Sequence, residues 1–400
     1  MPVAVGIDVA KETHWAVIKV AQTGQVLASH AVGNTPQAIA GLVDEVCAAE
    51  AEHGPATVGI DILGGIAALA EAMLLAGGLT VVHVPGRAVN RARQGTRGGQ
   101  HKSDPKDAAV IADLIRMRDD LRVVEPARDI DIELRLLTGR RAEVVADQTR
   151  RAQRLRDLLV SIFPGLERVV DVTTKTGLHL LTRYVTPAQI RRAGRARLLA
   201  WMRRAGHVKN ATLTALAGAA VAAARAQAIA VPGEQVAAEL IRGLAAEALA
   251  GRQQLQAIDA RIEEALARHP DAALIRSLPG MGAILTAEYL AVTGGIGRFP
   301  DGNKLAAAAG LAPALRQSGK VRYLERGTGG DRALKRVFYQ SAFIAAGCDP
   351  ASKAYYARKR SEGKTHHQAV LALARRRVNV LHAMLRNRTP YQPGHTTAAA

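Results

Sequence analysis

Four aspartates are spaced so that a folded chain could gather them. Asp8 closes the apolar run Val3-Ala4-Val5-Gly6-Ile7, and Asp61 closes Thr57-Val58-Gly59-Ile60. Asp104 and Asp107 open a helical pattern in Ser103-Asp104-Pro105-Lys106-Asp107. If the two runs are neighbouring strands and the helix packs across them, all four carboxylates converge. Carboxylates are the hard oxygen ligands that Mg²⁺ prefers. Phosphoryl chemistry with two metals uses cations about 3.5–4 Å apart, one activating the attacking oxygen and one stabilising the leaving oxygen. Asp104 and Asp107, three residues apart, share a helix face and can point at one such site. The same pair also suits an ordinary helix start, with Ser103 as cap and two acids facing the macrodipole. A strand-ending aspartate is harder to explain in that way, because an unpaired buried charge is costly. Here it occurs twice.

Cations accompany the acids. Arg87, Arg91, Arg93 and Arg97 lie among glycines in residues 87–100 and are followed by Lys102, which reads as a flexible cationic loop. Such a loop can hold the backbone of a strand being cut, or can simply be solvated. Far downstream, Ser277-Leu278-Pro279-Gly280-Met281-Gly282 and the helical pattern 283–292 resemble a single helix-hairpin-helix, whose amides at a helix start bind phosphate. Lys304, Arg316, Lys320, Arg322, Arg326, Arg332, Lys335 and Arg336 add positive charge nearby. Ser318 stands between Arg316 and Lys320 in a glycine-bounded stretch that is expected to lie between helices. A serine so flanked can attack a phosphodiester while the cations stabilise the charge that develops. On its residues alone, a serine before glycine is more often a turn residue.

Three strand patterns, 3–9, 15–20 and 26–32, form a meander with turns at Lys11-Glu12-Thr13 and Thr23-Gly24. Helical and strand patterns then alternate: helix 36–52, strand 57–62, helix 67–76, strand 80–84, helix 104–117. This order matches a ribonuclease-H-like domain over residues 1–125. Residues 126–270 carry two long patterns, 131–162 and 234–268, with apolar spacings of three and four. They fit a pair of long helices, a coiled coil or the core of a helix bundle. A basic helical insert runs between them, from Arg191 through Arg204. Residues 271–388 read as a mostly helical, glycine-rich and basic C-terminal domain, and 389–400 as a disordered tail. The fold class is thus α/β plus α.

The chain has 400 residues and a formal net charge of +19. That charge recurs in blocks and points to a polyanionic partner, nucleic acid above all. Aromatic residues make up only 3% and hydrophobic ones 48%, so the core must be built from aliphatic side chains, largely on helices. The two cysteines, Cys47 and Cys348, are too far apart in sequence to suggest a zinc module or a disulfide framework. No signal-peptide layout opens the sequence. The alanine-rich stretch 211–231 is interrupted by Arg225 and Gln227, and reads as an interior helix rather than a membrane span. These features lead us to expect no membrane partner and a cytoplasmic protein.

Gly6-Ile7-Asp8-Val9-Ala10-Lys11, Gly59-Ile60-Asp61 and Ser103-Asp104-Pro105-Lys106-Asp107-Ala108 resemble the DEDD domain of a large bacterial insertion-sequence family, the one numbered one-hundred-ten. Leu278-Pro279-Gly280-Met281-Gly282, Gly310-Leu311-Ala312-Pro313, Ser318-Gly319 and Gly330-Asp331-Arg332-Ala333-Leu334-Lys335 resemble that family's second transposase domain. The resemblance implies an RNA-guided DNA recombinase in a bacterial, nucleoid-associated setting. Asp8, Asp61, Asp104 and Asp107 would hold Mg²⁺, in a two-metal site, and Ser318 would form a covalent phosphoserine link to DNA. A structured non-coding RNA from the element, the bridge RNA, would pair with donor and target DNA. Homodimers would assemble into a tetramer in which the metal site of one subunit meets the serine of another. The nucleic-acid contacts would include Arg87, Arg91, Arg93, Arg97, Lys102, Arg316, Lys320 and Arg322. One residue departs from the pattern: the family's second acid is usually glutamate, and Asp61 is one methylene shorter. Ser341, Tyr323 and Tyr339 rank below Ser318 as nucleophiles. Two other readings stay open, a junction-resolving nuclease that needs the acids but no serine, and a non-catalytic nucleic-acid-binding protein.

Overall fold

The computed structural model describes residues 2–95, 101–126, 128–206, 209–318, 321–325, 327 and 329–393, without the side chains of 314–316 and 324–325. The chain divides into two compact units, Met1–Ala127 and Arg128–Ala400, and most of it is helical.

The first unit begins with β1 (Val3–Asp8), β2 (Thr13–Val20) and β3 (Val26–Gly33), and continues with α1 (Pro36–His53), β4 (Ala56–Ile60), α2 (Ala68–Ala76) and β5 (Thr80–His83). It ends with α3 (Gly86–Gln94), α4 (Asp104–Met117) and the short strand β6 (Arg122–Val123). The six strands form one sheet in the order β3-β2-β1-β4-β5-β6. β1, β4 and β5 run parallel in adjacent pairs, whereas β2 is antiparallel to β1 and β3 is antiparallel to β2. This is the expected ribonuclease-H-like arrangement of a hairpin-fed central strand joined to two parallel partners.

Alternation along the strands sets the two faces. Val3, Val5 and Ile7 pack with Ile39, Leu42, Val46 and Leu74, the buried sides of α1 and α2. Gly6 turns to the other face, where a Cβ would lie 2.1 Å from the Ala108 carbonyl oxygen and 2.5 Å from the Ala112 nitrogen. Gly59, its register partner on β4, meets α4 in the same way, with Ile115 Cδ1 2.6 Å from where its Cβ would be. The two glycines let α4 lie directly on the sheet. Lys19 of β2 fixes it there, with its ammonium 2.9 Å from Asp113 and a second bond to the Ala109 carbonyl. Arg116 adds bonds to Asp113 and to the Ala21 carbonyl.

The second unit opens on α5 (Asp129–Ile162), followed by α6 (Pro164–Val169), α7 (Lys175–Leu181), α8 (Pro187–Arg203), α9 (Asn210–Ala226) and α10 (Glu234–Arg268). The long helices α5 and α10 pair antiparallel within the chain. Arg141 meets Asp259, Gln148 donates to the Ala248 carbonyl, and Arg151 meets Glu247. Their far ends join one apolar cluster with α7, α8 and α9. Their near ends join another with α11 (Ala272–Ser277), α12 (Ala283–Thr293) and α13 (Gly302–Ala308). A hairpin of β7 (Ala314–Ser318) and β8 (Val321–Glu325) leads to α14 (Arg332–Cys348), α15 (Pro350–Ser361) and α16 (His366–Asn387).

Several expectations need correction. Residues 86–94 are helical rather than loop, whereas Arg97 lies outside the described residues. The Ser318 stretch does lie between two helices, α13 and α14, but as a strand ending on Ser318 rather than as a turn. Of the tail expected over 389–400, Tyr391 is tied down, its amide donating to Ser277 Oγ at 2.9 Å, and residues 394–400 lie outside the described residues. Among the described residues, no helix is long and apolar enough to cross a membrane.

Candidate active site

Gly6 and Asp8 are two residues apart on β1, so Asp8 faces the side that Gly6 opens to α4, and Asp61 is the first residue past β4, two beyond Gly59. Ile7 and Ile60 are register partners, which sets Asp8 and Asp61 side by side at the ends of parallel strands. The first turn of α4 carries Asp104, which is exposed, and Asp107, which is buried. Ser103 takes the N-cap position but its side chain makes no cap hydrogen bond, and α4 starts on Pro105 in its first turn.

Asp8 is electrostatically coupled to the other three acids. Burial pushes Asp8 up to about 6, and the charges of Asp61, Asp107 and Asp104 push in the same direction, against Lys102. Burial also raises Asp61, opposed by hydrogen bonding from the Val9 backbone and by His83, and supported by Asp107. Asp61 Oδ1 is buried without a hydrogen-bond partner. This is a site with excess negative charge and an unmet acceptor. A hard dication answers both deficits.

Asp107 is held by Arg93 of α3, whose Nη1 lies 3.3 Å from Oδ1 and 3.2 Å from Oδ2. Both side chains are largely buried. Arg93 is therefore a counter-ion of the acidic cluster here, and not the open phosphate contact expected from sequence. Among the described residues no three acidic or imidazole groups already enclose a common point. The donor set fits a divalent metal in chemistry and charge, and in this state Arg93 partly fills the cation's role.

His83 was not singled out in the sequence. It ends β5 as the register partner of Ile60, and its ring nitrogen Nε2 lies 3.3 Å from the Asp61 carbonyl oxygen. Its signal was positional, as a polar residue ending a third apolar strand beside the two aspartates. The repeated Gly-Ile-Asp was the corresponding signal for the spacer glycines.

The expected nucleic-acid contacts fare unequally. Arg87, Arg91 and Lys102 are exposed. Lys320 and the Arg316 side chain lie outside the described residues. In the hairpin Ser318 pairs with Val321 and Gln317 with Arg322, so strand alternation puts Arg322 on the opposite side of the ribbon from Ser318. Ser318 itself is exposed. Of the other candidate nucleophiles, Ser341 is fully buried and accepts hydrogen bonds from Arg377, which removes it from reach. Tyr323 is exposed on Ser318's side of the hairpin, and Tyr339 lies 3.3 Å from His367 Nδ1. The expected helix-hairpin-helix turn is drawn inward. Gly280 has φ +80°, and a Cβ there would come within 2.5 Å of the Ser341 carbonyl oxygen.

A hairpin-fed central strand with two parallel partners and a helix laid across them defines a domain of the ribonuclease-H-like class. Residues 5–164 match a family model described as transposase, of the DEDD type, and residues 272–357 match one described as Transposase IS116/IS110/IS902 family. The chain belongs to this transposase family. It is similar to the 42 kDa protein of insertion element IS900 of Mycobacterium paratuberculosis, with 44% identity over 402 residues, spanning 100% of this chain and 99% of that protein. The 44.8 kDa protein of insertion element IS116 of Streptomyces clavuligerus is 41% identical over 97% of this chain and 96% of its own length. A pilin gene-inverting protein of Moraxella lacunata is 30% identical over 123 residues, covering 30% of this chain and 38% of that protein. Among solved structures, T. thermophilus RuvC in complex with Holliday junction substrate matches 31% of this chain and 100% of its own, with a TM-score of 0.24 and 15% identity. Family membership makes the chain a transposase enzyme of an insertion element, with DNA as its substrate.

Proposed function

We propose that this transposase performs RNA-guided, site-specific DNA recombination with Asp8, Asp61, Asp104 and Asp107 as metal-holding residues and Ser318 as nucleophile. The observation that carries the metal assignment is the pairing of the two Gly-Ile-Asp strand ends under α4, which gathers excess negative charge around an unpartnered Asp61 oxygen. Bound Mg²⁺ would supply Lewis-acid stabilisation of the phosphate under attack. The shorter Asp61 is compatible with this role because Gly59 allows α4 and its acids to approach β4 closely. A cation bound there would compete with Arg93 for the Asp107 carboxylate.

Ser318 is accessible at the end of a two-stranded ribbon. Its Oγ gives up its proton and forms a bond to the phosphorus, the bond from phosphorus to one sugar oxygen breaks, and that oxygen takes up a proton and departs as a hydroxyl. Reversal on a different strand rejoins the DNA. Exposed Arg87, Arg91 and Lys102 bind strand backbone beside the acids. The guide is a structured RNA from the element, supported by the family resemblance and by a charge of +19 that exceeds the needs of one duplex contact. The subunits form dimers and then a tetramer, so that acids and serine from different subunits act together.

Covalent capture tests this reading. Purified protein, flanking-end RNA, Mg²⁺ and labelled donor DNA are incubated, denatured and resolved on a gel beside Ser318→Ala and Asp8→Ala. The expected result is a labelled protein band that is lost in both variants and depends on the RNA. Cleavage without an adduct, persisting in Ser318→Ala, would make the protein a hydrolytic nuclease and remove Ser318 from the site.

A further inference from the structure

A second basic site lies in the C-terminal region, far in sequence from the acids and from Ser318. Between α15 and α16 a cavity of about 450 Å³ opens, bounded by Leu278, Tyr355, Arg358, Arg376, Arg377 and Tyr391. That volume falls in the usual range of small-ligand pockets, roughly 300–1,000 Å³. Its composition is unusual for this chain, in which aromatic residues are only 3%. Two of the seven tyrosines line one cavity together with three arginines.

Tyr355 is the centre of the arrangement. The guanidinium carbons of Arg358 and Arg376 lie 5.0 and 5.1 Å from its ring centroid, and the Lys359 ammonium lies at 5.5 Å. Arg377 forms the inner wall. Its Nε and Nη2 bond Ser341 Oγ at 3.2 and 2.8 Å, and Nη2 also bonds the Pro279 carbonyl. These bonds leave Nη1 without a partner among the described residues. Burial lowers this guanidinium to about 10, so it remains charged at neutral pH. Acidic compensation is slight: Glu362 reaches Arg358 only at 3.9 Å, and Asp349 is occupied by the Ser352 amide and the Tyr391 hydroxyl. Lys359 is paired with Glu362 at 2.7 Å, which leaves Arg358 weakly paired and Arg376 without a salt bridge among the described residues. The cavity therefore offers an aromatic ring bordered by more positive charge than its one nearby carboxylate neutralises. A ligand with a planar ring and an attached anion satisfies both features.

We infer that this cavity binds an unpaired nucleotide of a nucleic-acid strand, with the base against Tyr355 and the phosphate at Arg358 and Arg376. Arg377 keeps the wall rigid by tying α16 to α14 and to the turn before α12. In a duplex every base is stacked and paired, so the pocket selects a strand end, a loop or a displaced nucleotide. The inference rests on the protein's acting on nucleic acid, and it is independent of the metal site and of Ser318.

The test uses full-length protein and fluorescent eight-nucleotide single strands of DNA and of RNA, a matching duplex, and a mononucleotide as competitor. Affinity is read by anisotropy across a salt series. A parallel set of strands carries 5-iodouracil for photocrosslinking and peptide mapping. Tyr355→Ala is expected to weaken single-strand binding about ten-fold while Tyr355→Phe retains it, since stacking does not need the hydroxyl. Arg376→Gln is expected to reduce the salt slope by about one contact. Crosslinks are expected on Tyr355, and whichever of the DNA or RNA strands gives them identifies the source of the nucleotide. Arg377 is left intact because its loss would unfasten the wall. Three results would overturn the proposal: unchanged affinity in Tyr355→Ala with crosslinks elsewhere, duplex binding lost equally with single-strand binding in the variants, or a mononucleotide that binds as tightly as the strands. Loss of covalent adduct in Ser318→Ala bears on the recombination reading alone, so the two can fail separately.

Discussion

Asp8 keeps its proton to about pH 6 in the folded chain, against 3.8 as an ordinary aspartate, because burial and three neighbouring carboxylates oppose its charge. Between those values the folded state holds a proton that the unfolded state has lost, so stability falls as pH rises through that window. A shift of this size in a half-buried group, allowing for solvent screening, amounts to about 1 kcal/mol. In chelator, Asp8→Asn should therefore raise the melting temperature at pH 7.5 and leave it unchanged below pH 4. Adding Mg²⁺ should stabilise the parent protein and not the variant. A thermal scan showing the opposite order would argue against a metal site among these acids. Arg93 competes with a cation for Asp107. Arg93→Gln should accordingly bind Mn²⁺ several-fold more tightly by calorimetric titration, while its metal-free form melts lower. Both outcomes follow from one charge removed beside four acids.

At the scale of elements, the packing of α4 on β1 and β4 decides whether a site exists. Gly6→Ala would place a methyl 2.1 Å from a helix carbonyl that cannot move aside alone. Overpacking of this kind costs about 1–3 kcal/mol or more, and denaturant unfolding should show it together with loss of Mn²⁺ binding. A Gly6→Ala protein with unchanged stability would mean that α4 does not lie where described. The strands around Asp8 and Asp61 were legible because near-continuous Val and Ile runs ended in a charge, and the 234–268 helix because its apolar spacing of three and four is interrupted once, where Gly251 is the buried residue. The convergence of the acids was legible only as a condition, since it depends on register and on the glycine gap. Two elements were hidden by composition. Residues 86–94 are so rich in arginine that Val89, the one buried anchor of α3, does not stand out. The β7–β8 ribbon carries Arg, Gln and Glu where a buried strand would carry aliphatics. Its two-residue Gly-Lys connection was nonetheless a hairpin signal.

For the whole molecule, each compact unit has apolar clusters of its own: two in Met1–Ala127 and two in Arg128–Ala400. Units with private cores fold independently as a rule. Fragments 1–127 and 128–400 should each unfold cooperatively by circular dichroism, and the first alone should bind Mn²⁺; a first fragment without structure would refute the division. The antiparallel return of α10 along α5 has one more result. Asp131 and His269 sit 3.1 Å apart, so the chain leaves the C-terminal core and comes back to the same place after a long excursion. With about 1.5 Å of rise per residue, that excursion is an arm of roughly 50 Å. Paired deletions of seven residues from its two helices would shorten it by about 10 Å while preserving the contacting face. The arm is thus a length that can be reset in steps of two helical turns while the Asp131–His269 closure at its base stays intact.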